Sequence, residues 1–506
     1  MALAIPFYTL GLDWSPPHLV HDEIVFALQA HAIATTLHDL NGRFLPLYFE
    51  GLFWATPIDI YLAAIVLKIA PLSTVSVRIT SALVGVIDVG LMFLVANRLF
   101  KSTWLAATAA LLLLATPIHV LHSRMLVDNV YPIPFILGWL WGVLTFRERL
   151  NQQWALAIAG ASLGLGFYSY HASVVTMPVL FGLTMVMFWL SGERTVRPFA
   201  AFAMPFALCL APLLPWLLFH PEHYSDHLRA FSVYDPAMSP ARGALDVLGY
   251  GSLQSRASLL WSYFDPTLLF LHGDSSVINS THLAGVFLLP IAPLMIAGIV
   301  HAATARSPTL WLVLGAFMTA PLPAVLANQS SRAARMCAIV PVGVLLATTG
   351  AQWLASRRSR AARVALAALG AVTISAFFSF YLDYMTGYRD RADTWFEGNI
   401  QGAMETTIAM DQERPAPRIL IDRTIPFAMY FWDFYTLKTN ARALTARTVV
   451  GDGSVEELSG LPSASLVIVR NAGALDVMMS NDSTFQAVAD VREPDQEVSF
   501  RVFRRR

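Results

Sequence analysis

Apolar runs of about 16 to 23 residues recur along the first three-quarters of the chain, and a helix needs roughly 20 such residues to cross the hydrocarbon of a bilayer. The pattern predicts spans near 79–97, 103–118, 130–146, 154–170, 172–190, 198–219, 284–303, 308–327, 336–355 and 362–382. Residues 1–12 (MALAIPFYTLGL) are apolar too, but as a helix they reach only about 18 Å. That is too short to cross alone and points to a start codon upstream of Met1. A cleaved signal peptide fits less well, because neither a basic n-region nor a small-residue cleavage site is present.

Residues 57–71 (PIDIYLAAIVLKIAP) are ambiguous, being short and interrupted by Lys68. Loop charge settles them, since basic loops stay in the cytoplasm. With 57–71 laid along the membrane surface, Arg98 and Lys101, Arg147 and Arg149, Arg194 and Arg197, Arg306, and Arg357, Arg358, Arg360 and Arg363 all fall on one side. The expectation is therefore about eleven crossings with a cytoplasmic N-terminus. A first extracytoplasmic loop then covers 13–78, a large one covers 220–283, and the tail 383–506 lies outside.

Composition agrees. The chain has 506 residues, 56% hydrophobic and only 13% charged, and residues 383–506 hold 32 of its 68 charged side chains. The fold class expected is an all-α polytopic membrane domain over 1–382 followed by a small α/β domain. In that tail, β-rich runs at 418–422, 464–470 and 498–503 flank an amphipathic stretch at 425–437 in a βαβ-like order. The aromatics of 425–437 suit either a packed core or sugar stacking. Zero formal net charge argues against nucleic acid, which needs a basic stripe. Cys209 and Cys337 both sit in apolar runs and read as small buried residues.

Polar groups gather on one side of the predicted membrane. A transporter would place its polar site near the bilayer midplane, often between repeats, whereas no repeat is evident here. Asp22 and Glu23 stand together ahead of a helical pattern. Paired carboxylates there suit a general base or a metal, or simply cap the helix. Arg124 and Asp128 are four apart and would share a helical face. Arg332 and Arg335 lie on the side where positive charge is unusual; lipid phosphate or pyrophosphate is one reason, interfacial snorkelling another. The loop 220–283 is His-rich without zinc spacing, Asp88 lies inside a span, and His171 lies near a span's outer end.

In combination these residues resemble the polytopic GT-C glycosyltransferases, specifically bacterial relatives of protein O-mannosyltransferases and of lipid A aminoarabinose transferases. The resemblance is carried by Pro16, Pro17, Asp22 and Glu23; by Phe49 and Glu50; by the Val77–Leu83 stretch; and by Arg124 and Asp128. Gly273 and Asp274, then Arg332, Arg335 and Pro341, complete the order along residues 1–382. Relatives often follow the aromatic-Glu pair with Lys-Pro, but here Gly51 and Leu52 follow and Pro57 comes later. The resemblance implies an inverting transfer of sugar from a polyprenyl-phosphate donor to an acceptor hydroxyl at the outer leaflet of the plasma membrane. Asp22 would be the base and Asp128 would assist. Glu23, Glu50, Arg124, Arg332, Arg335 and Asp274 would hold substrate, with no cofactor required and a divalent metal at Glu23 or Glu50 as an option. The competing expectation is a transporter or flippase of a lipid-linked or polar solute.

Overall fold

The computed structural model describes residues 2–51, 54–149, 152–193, 195–231, 233–235, 237–357 and 359–506; Leu52, Arg194 and Arg358, used above, lie outside the described residues. The chain is largely helical. Among the described residues six helices are long and apolar enough to cross a membrane: Thr74–Phe100, Ser173–Leu190, Val196–Phe219, Pro308–Leu326, Ile339–Ser356 and Arg360–Met385. This is a multi-pass membrane protein.

Four other predicted spans fall on shorter helices, Thr103–Leu114, Pro132–Glu148, Gln153–Gly166 and Leu289–Thr304. Helix length alone therefore does not carry a count of eleven. Proline explains one shortening: the residue before Pro117 is steered out of the helical region, so the run breaks at Thr116 and restarts as Pro117–His122. Interior Pro178 and Pro205 are tolerated in Ser173–Leu190 and Val196–Leu210, as membrane helices often allow. Polar caps start two of these apolar helices, with Ser102 accepting from the Leu105 amide and Ser307 from the Leu310 amide.

By packing, the chain divides into two compact units. The first takes in Met1–Leu10, Arg43–Asp59 and Thr80–Leu382. The second takes in Gly11–Gly42, Ile60–Ile79 and Asp383–Arg506, so the start of the first loop belongs with the tail. The segment 57–71 forms a helix over Pro57–Leu67.

The tail contains a five-stranded sheet, with β1 Ile419–Asp422, β2 Thr448–Gly451, β3 Leu466–Arg470, β4 Phe485–Arg492 and β5 Val498–Arg505. Its order is β2-β1-β3-β5-β4. β1 pairs in parallel with β2 and β3, while β5 runs antiparallel to β3 and β4. The helix Ala428–Lys438 links β1 to β2, a strand not expected from the sequence, while the two expected strands β1 and β3 pair in parallel. Leu420, Val467, Val469, Met479 and Phe503 form part of the core on one face. Phe431, Trp432, Phe434 and Tyr435 are buried, so the aromatic helix is core and not an open stacking platform.

Candidate active site

In the second unit, the helix His21–Thr36 begins with the acidic pair. Glu23 is fully buried, and both of its oxygens meet the Arg78 guanidinium, Nε to Oε1 at 2.9 Å and Nη2 to Oε2 at 3.0 Å. Oε2 also accepts from the Val20 amide and caps the helix. The other guanidinium protons go to the carbonyls of Leu12, Pro16 and His18. All five donors of Arg78 are thus used, which braces the chain from Leu12 to Glu23. Arg78 sits in the Val77–Leu83 stretch; its own role as partner of Glu23 was not visible in the sequence.

Asp22 faces differently. About a third of its side chain is open (36%), and its Oδ1 lies 3.5 Å from Nε2 of His21. Burial raises the Asp22 carboxyl above the usual range; His21 pulls it down while Glu397 and Glu23 push it up. For His21, burial disfavours charge, but the hydrogen bond it donates to Glu397 and the charges of Asp22 and Glu397 outweigh it, and its pKa rises.

In the first unit, Arg124 is buried and donates to the carbonyls of Phe7 and Leu10, at the end of the helix Ala4–Thr9. Residues 123–131 form turns, so the helical i,i+4 relation expected of Arg124 and Asp128 does not arise. Asp128, Asp274 and Arg335 all lie within electrostatic reach of the buried Tyr170. Gly273, at φ +76, makes the turn that presents Asp274; a Cβ there would come within 3.0 Å of the Ala284 carbonyl oxygen. Asp274 accepts from the amides of Ser276 (2.8 Å) and Ala334 (3.3 Å). Burial raises its carboxyl, and those amides and Arg332 counter the rise. The Tyr263 hydroxyl donates to the Gln329 carbonyl and accepts from the Arg332 amide. Arg332 itself is exposed, whereas Arg335 lies over the Phe231 ring at 4.6 Å.

Arg335 also lines a cavity of about 270 Å³ whose wall is mostly apolar, including Phe167, Val174, Leu213, Leu217 and Leu326. Its polar lining also includes Tyr48, His171, His223 and His227. His171 and His227 are 3.1 Å apart through Nδ1 and Nε2, and His227 stacks on His223. Burial, then the neighbouring imidazoles, lower the His223 pKa to about 3, so it is neutral at physiological pH. Sequence reading placed His171 only near a span's outer end and missed Tyr170 and Tyr263; the density of His in 220–283 was the available signal. Asp88 belongs elsewhere, fully buried with Oδ2 3.2 Å from His119, which in turn meets the Tyr8 hydroxyl.

The two residues expected to take a metal do not fit one well: Glu23 is committed to Arg78, and Glu50 is paired with Arg43. Among the described residues no group of three or more His, Cys, Asp or Glu is arranged around a metal position.

The sequence profile of the dolichyl-phosphate-mannose-protein mannosyltransferases matches residues 55–219. The undecaprenyl phosphate-alpha-4-amino-4-deoxy-L-arabinose arabinosyl transferase 1 of Pseudomonas fluorescens (strain Pf0-1) is 25% identical over 272 residues, half of this chain and 46% of that protein. The chain thus spans about half the length of that curated relative. Among solved structures, ArnT from Cupriavidus metallidurans bound to undecaprenyl phosphate superposes with a TM-score of 0.61 at 14% identity, over 99% of this chain and 96% of that one. An oligosaccharyltransferase of Archaeoglobus fulgidus gives 0.53 at 12% identity, over 93% and 69%. The fold is that of the polytopic GT-C proteins. Within that class the chain is related to the protein O-mannosyltransferases and to the aminoarabinose transferases.

Proposed function

We propose that the protein is an inverting glycosyltransferase that moves a sugar from a polyprenyl-phosphate donor to an acceptor hydroxyl on the extracytoplasmic side of a bacterial inner membrane. The observation that carries this reading is the apolar cavity with Arg335 in its wall, beside the group formed by Tyr170, Asp128 and Asp274. A prenyl chain suits the apolar wall, and a guanidinium suits the phosphate, whose charge grows as it leaves. The similar proteins described above, with undecaprenyl phosphate as donor or ligand, point the same way.

In the reaction Asp22 takes the proton of the acceptor hydroxyl. The acceptor oxygen bonds the anomeric carbon as the bond from that carbon to the phosphate oxygen breaks, and the lipid phosphate departs. Arg335 and Arg332 stabilise the departing charge, and Asp128 and Asp274 orient the sugar. Arg124 and Glu23 act by holding backbone in place, and Glu50 acts from its pair with Arg43 at the edge of the first loop. A carboxyl raised by burial, as that of Asp22 is, holds a proton more readily than an ordinary aspartate and so is a stronger base toward the acceptor hydroxyl.

The test is reconstitution of purified protein in liposomes with a labelled polyprenyl-phosphate sugar, reading release of free lipid phosphate. Asp22→Asn should lower turnover by about 10²–10⁴-fold, the usual contribution of a general base, with donor binding retained. Turnover within a few-fold of wild type would remove Asp22 as base. Movement of intact donor across the bilayer without cleavage would make the protein a transporter.

A further inference from the structure

The base proposed above does not stand alone at the start of its helix. His21 precedes it, and the His21 ring is held on three sides. Its Nδ1 lies 2.9 Å from Oε1 of Glu397, its Nε2 lies 3.5 Å from Oδ1 of Asp22, and its face stacks on Phe427 at 4.4 Å and 25°. We propose that Glu397, in the segment that follows the last long apolar helix, is a positioning residue for the transfer, fixing the His21 ring and through it the Asp22 carboxylate. This inference rests on the reading of Asp22 as base.

Glu397 is set up for that task at some cost. Its φ is +67, a left-handed conformation that favours glycine, and Gly398 follows at +82. Its carbonyl is held by Arg470 at 3.3 Å. Its second oxygen, Oε2, is buried with no hydrogen-bond partner among the described residues. A carboxylate serving only as a tether would ordinarily have both oxygens satisfied. The charged groups facing the pair are Asp22 and Glu23 on the helix of His21, and Glu397 and Arg470 from the tail. A carboxylate on one ring nitrogen fixes the tautomer and direction of the other, the arrangement seen wherever an imidazole must orient a reacting group. Glu397 and His21 make and break no covalent bond; the proton still passes from the acceptor hydroxyl to Asp22.

The same unit supplies a control. His18 and Glu493 form a buried pair of the same kind, 2.8 Å apart, that joins the first loop to the tail; Glu493 also accepts from the Asn399 amide, so it grips the same tail segment as Glu397 but through His18 rather than His21. If the Glu397 pair only tethers the tail, the two ties should be equivalent.

Two measurements on the full-length protein decide the matter. The first is ¹⁵N-histidine NMR in detergent, with His21→Gln identifying the resonance. Glu397→Gln should shift the His21 Nδ1 signal, and Glu397→Asp should restore it in part; an unmoved signal overturns the proposal. The second is transfer from undecaprenyl-phosphate-linked aminoarabinose or mannose, whichever the wild type turns over. Glu397→Gln and His21→Gln should each lower kcat by on the order of 10²-fold, as expected of a misplaced catalytic group, with KM for the donor within about 2-fold. The double variant should be no worse than either single one, and Glu493→Gln should keep kcat near wild type. Equal losses in Glu397→Gln and Glu493→Gln, or multiplicative losses in the double variant, overturn the proposal. Should Asp22→Asn retain turnover, the base reading fails instead, while the NMR response still judges the link from Glu397 to His21.

Discussion

Glu23 and Arg78 show how one residue pair can organise a loop. Both side chains are fully buried, so each charge is tolerable only because of the other. Arg78 also collects three backbone carbonyls from Leu12, Pro16 and His18. Glu23→Gln or Arg78→Met alone leaves an uncompensated buried charge and should destabilise the protein by about 3–5 kcal/mol. The double variant should recover part of that loss, because the remaining groups are neutral. Thermal unfolding in detergent reads both, and an additive double variant would show that the pair is not coupled. The neighbouring carboxylates Asp22 and Glu23 thus do different work. Their adjacency along the chain carries no sign of which would be open and which braced.

At the scale of elements, close helix contact depends on missing side chains. The helices Ala292–Thr304 and Ile339–Ser356 cross at Gly298 and Gly350. A Cβ on Gly298 would fall on the Leu346 carbonyl, and one on Gly350 on the Leu294 carbonyl. Small residues let membrane helices approach in this way. Gly298→Ala should therefore destabilise by about 1–3 kcal/mol, the usual range for overpacking. Gly370→Ala, in an exposed stretch of Arg360–Met385 with no neighbour within 4 Å, should be neutral or stabilising by about 0.5–1 kcal/mol. Comparative melting temperatures check the contrast; equal effects would refute it. Element identity was legible from the apolar runs, since burial in lipid demands length and composition that sequence displays directly. Ends were less legible. Thr103–Leu114 stops short at a proline, and strands β2 and β4 went unseen because neither is a strong apolar alternation.

At the scale of the molecule, the second unit joins the start of the first loop to the tail across more than 300 residues of intervening chain. Trp14 and Ser15 donate to the carbonyls of Met385 and Tyr384, and His18 meets Glu493. Burial alone would raise the Glu493 carboxyl, but hydrogen bonds from His18, Ser499 and the Asn399 amide hold it below its ordinary value of 4.5. A depressed acid stabilises the fold above its unfolded pKa and loses that contribution as pH falls through the folded one. Melting of this unit, followed by tryptophan fluorescence, should drop as pH is lowered below about 4.5, and Glu493→Gln should flatten that limb. A Glu493→Gln variant with the same acid dependence as wild type would refute the assignment.

The chain by itself determined that this is a polytopic membrane protein with a small α/β tail. Those features rest on local hydrophobic patterning, which each segment must satisfy wherever its neighbours lie. The motif order from Asp22 to Arg335 also pointed to a resemblance to GT-C transferases, whose fold the chain has. Partnership was decided only by tertiary structure: Glu23 with Arg78 55 positions away, His21 with Glu397 376 away, and Tyr170 among Asp128, Asp274 and Arg335. A buried charge must find its complement wherever the fold brings one, and no periodicity along the sequence records which of many arginines, histidines or carboxylates that will be.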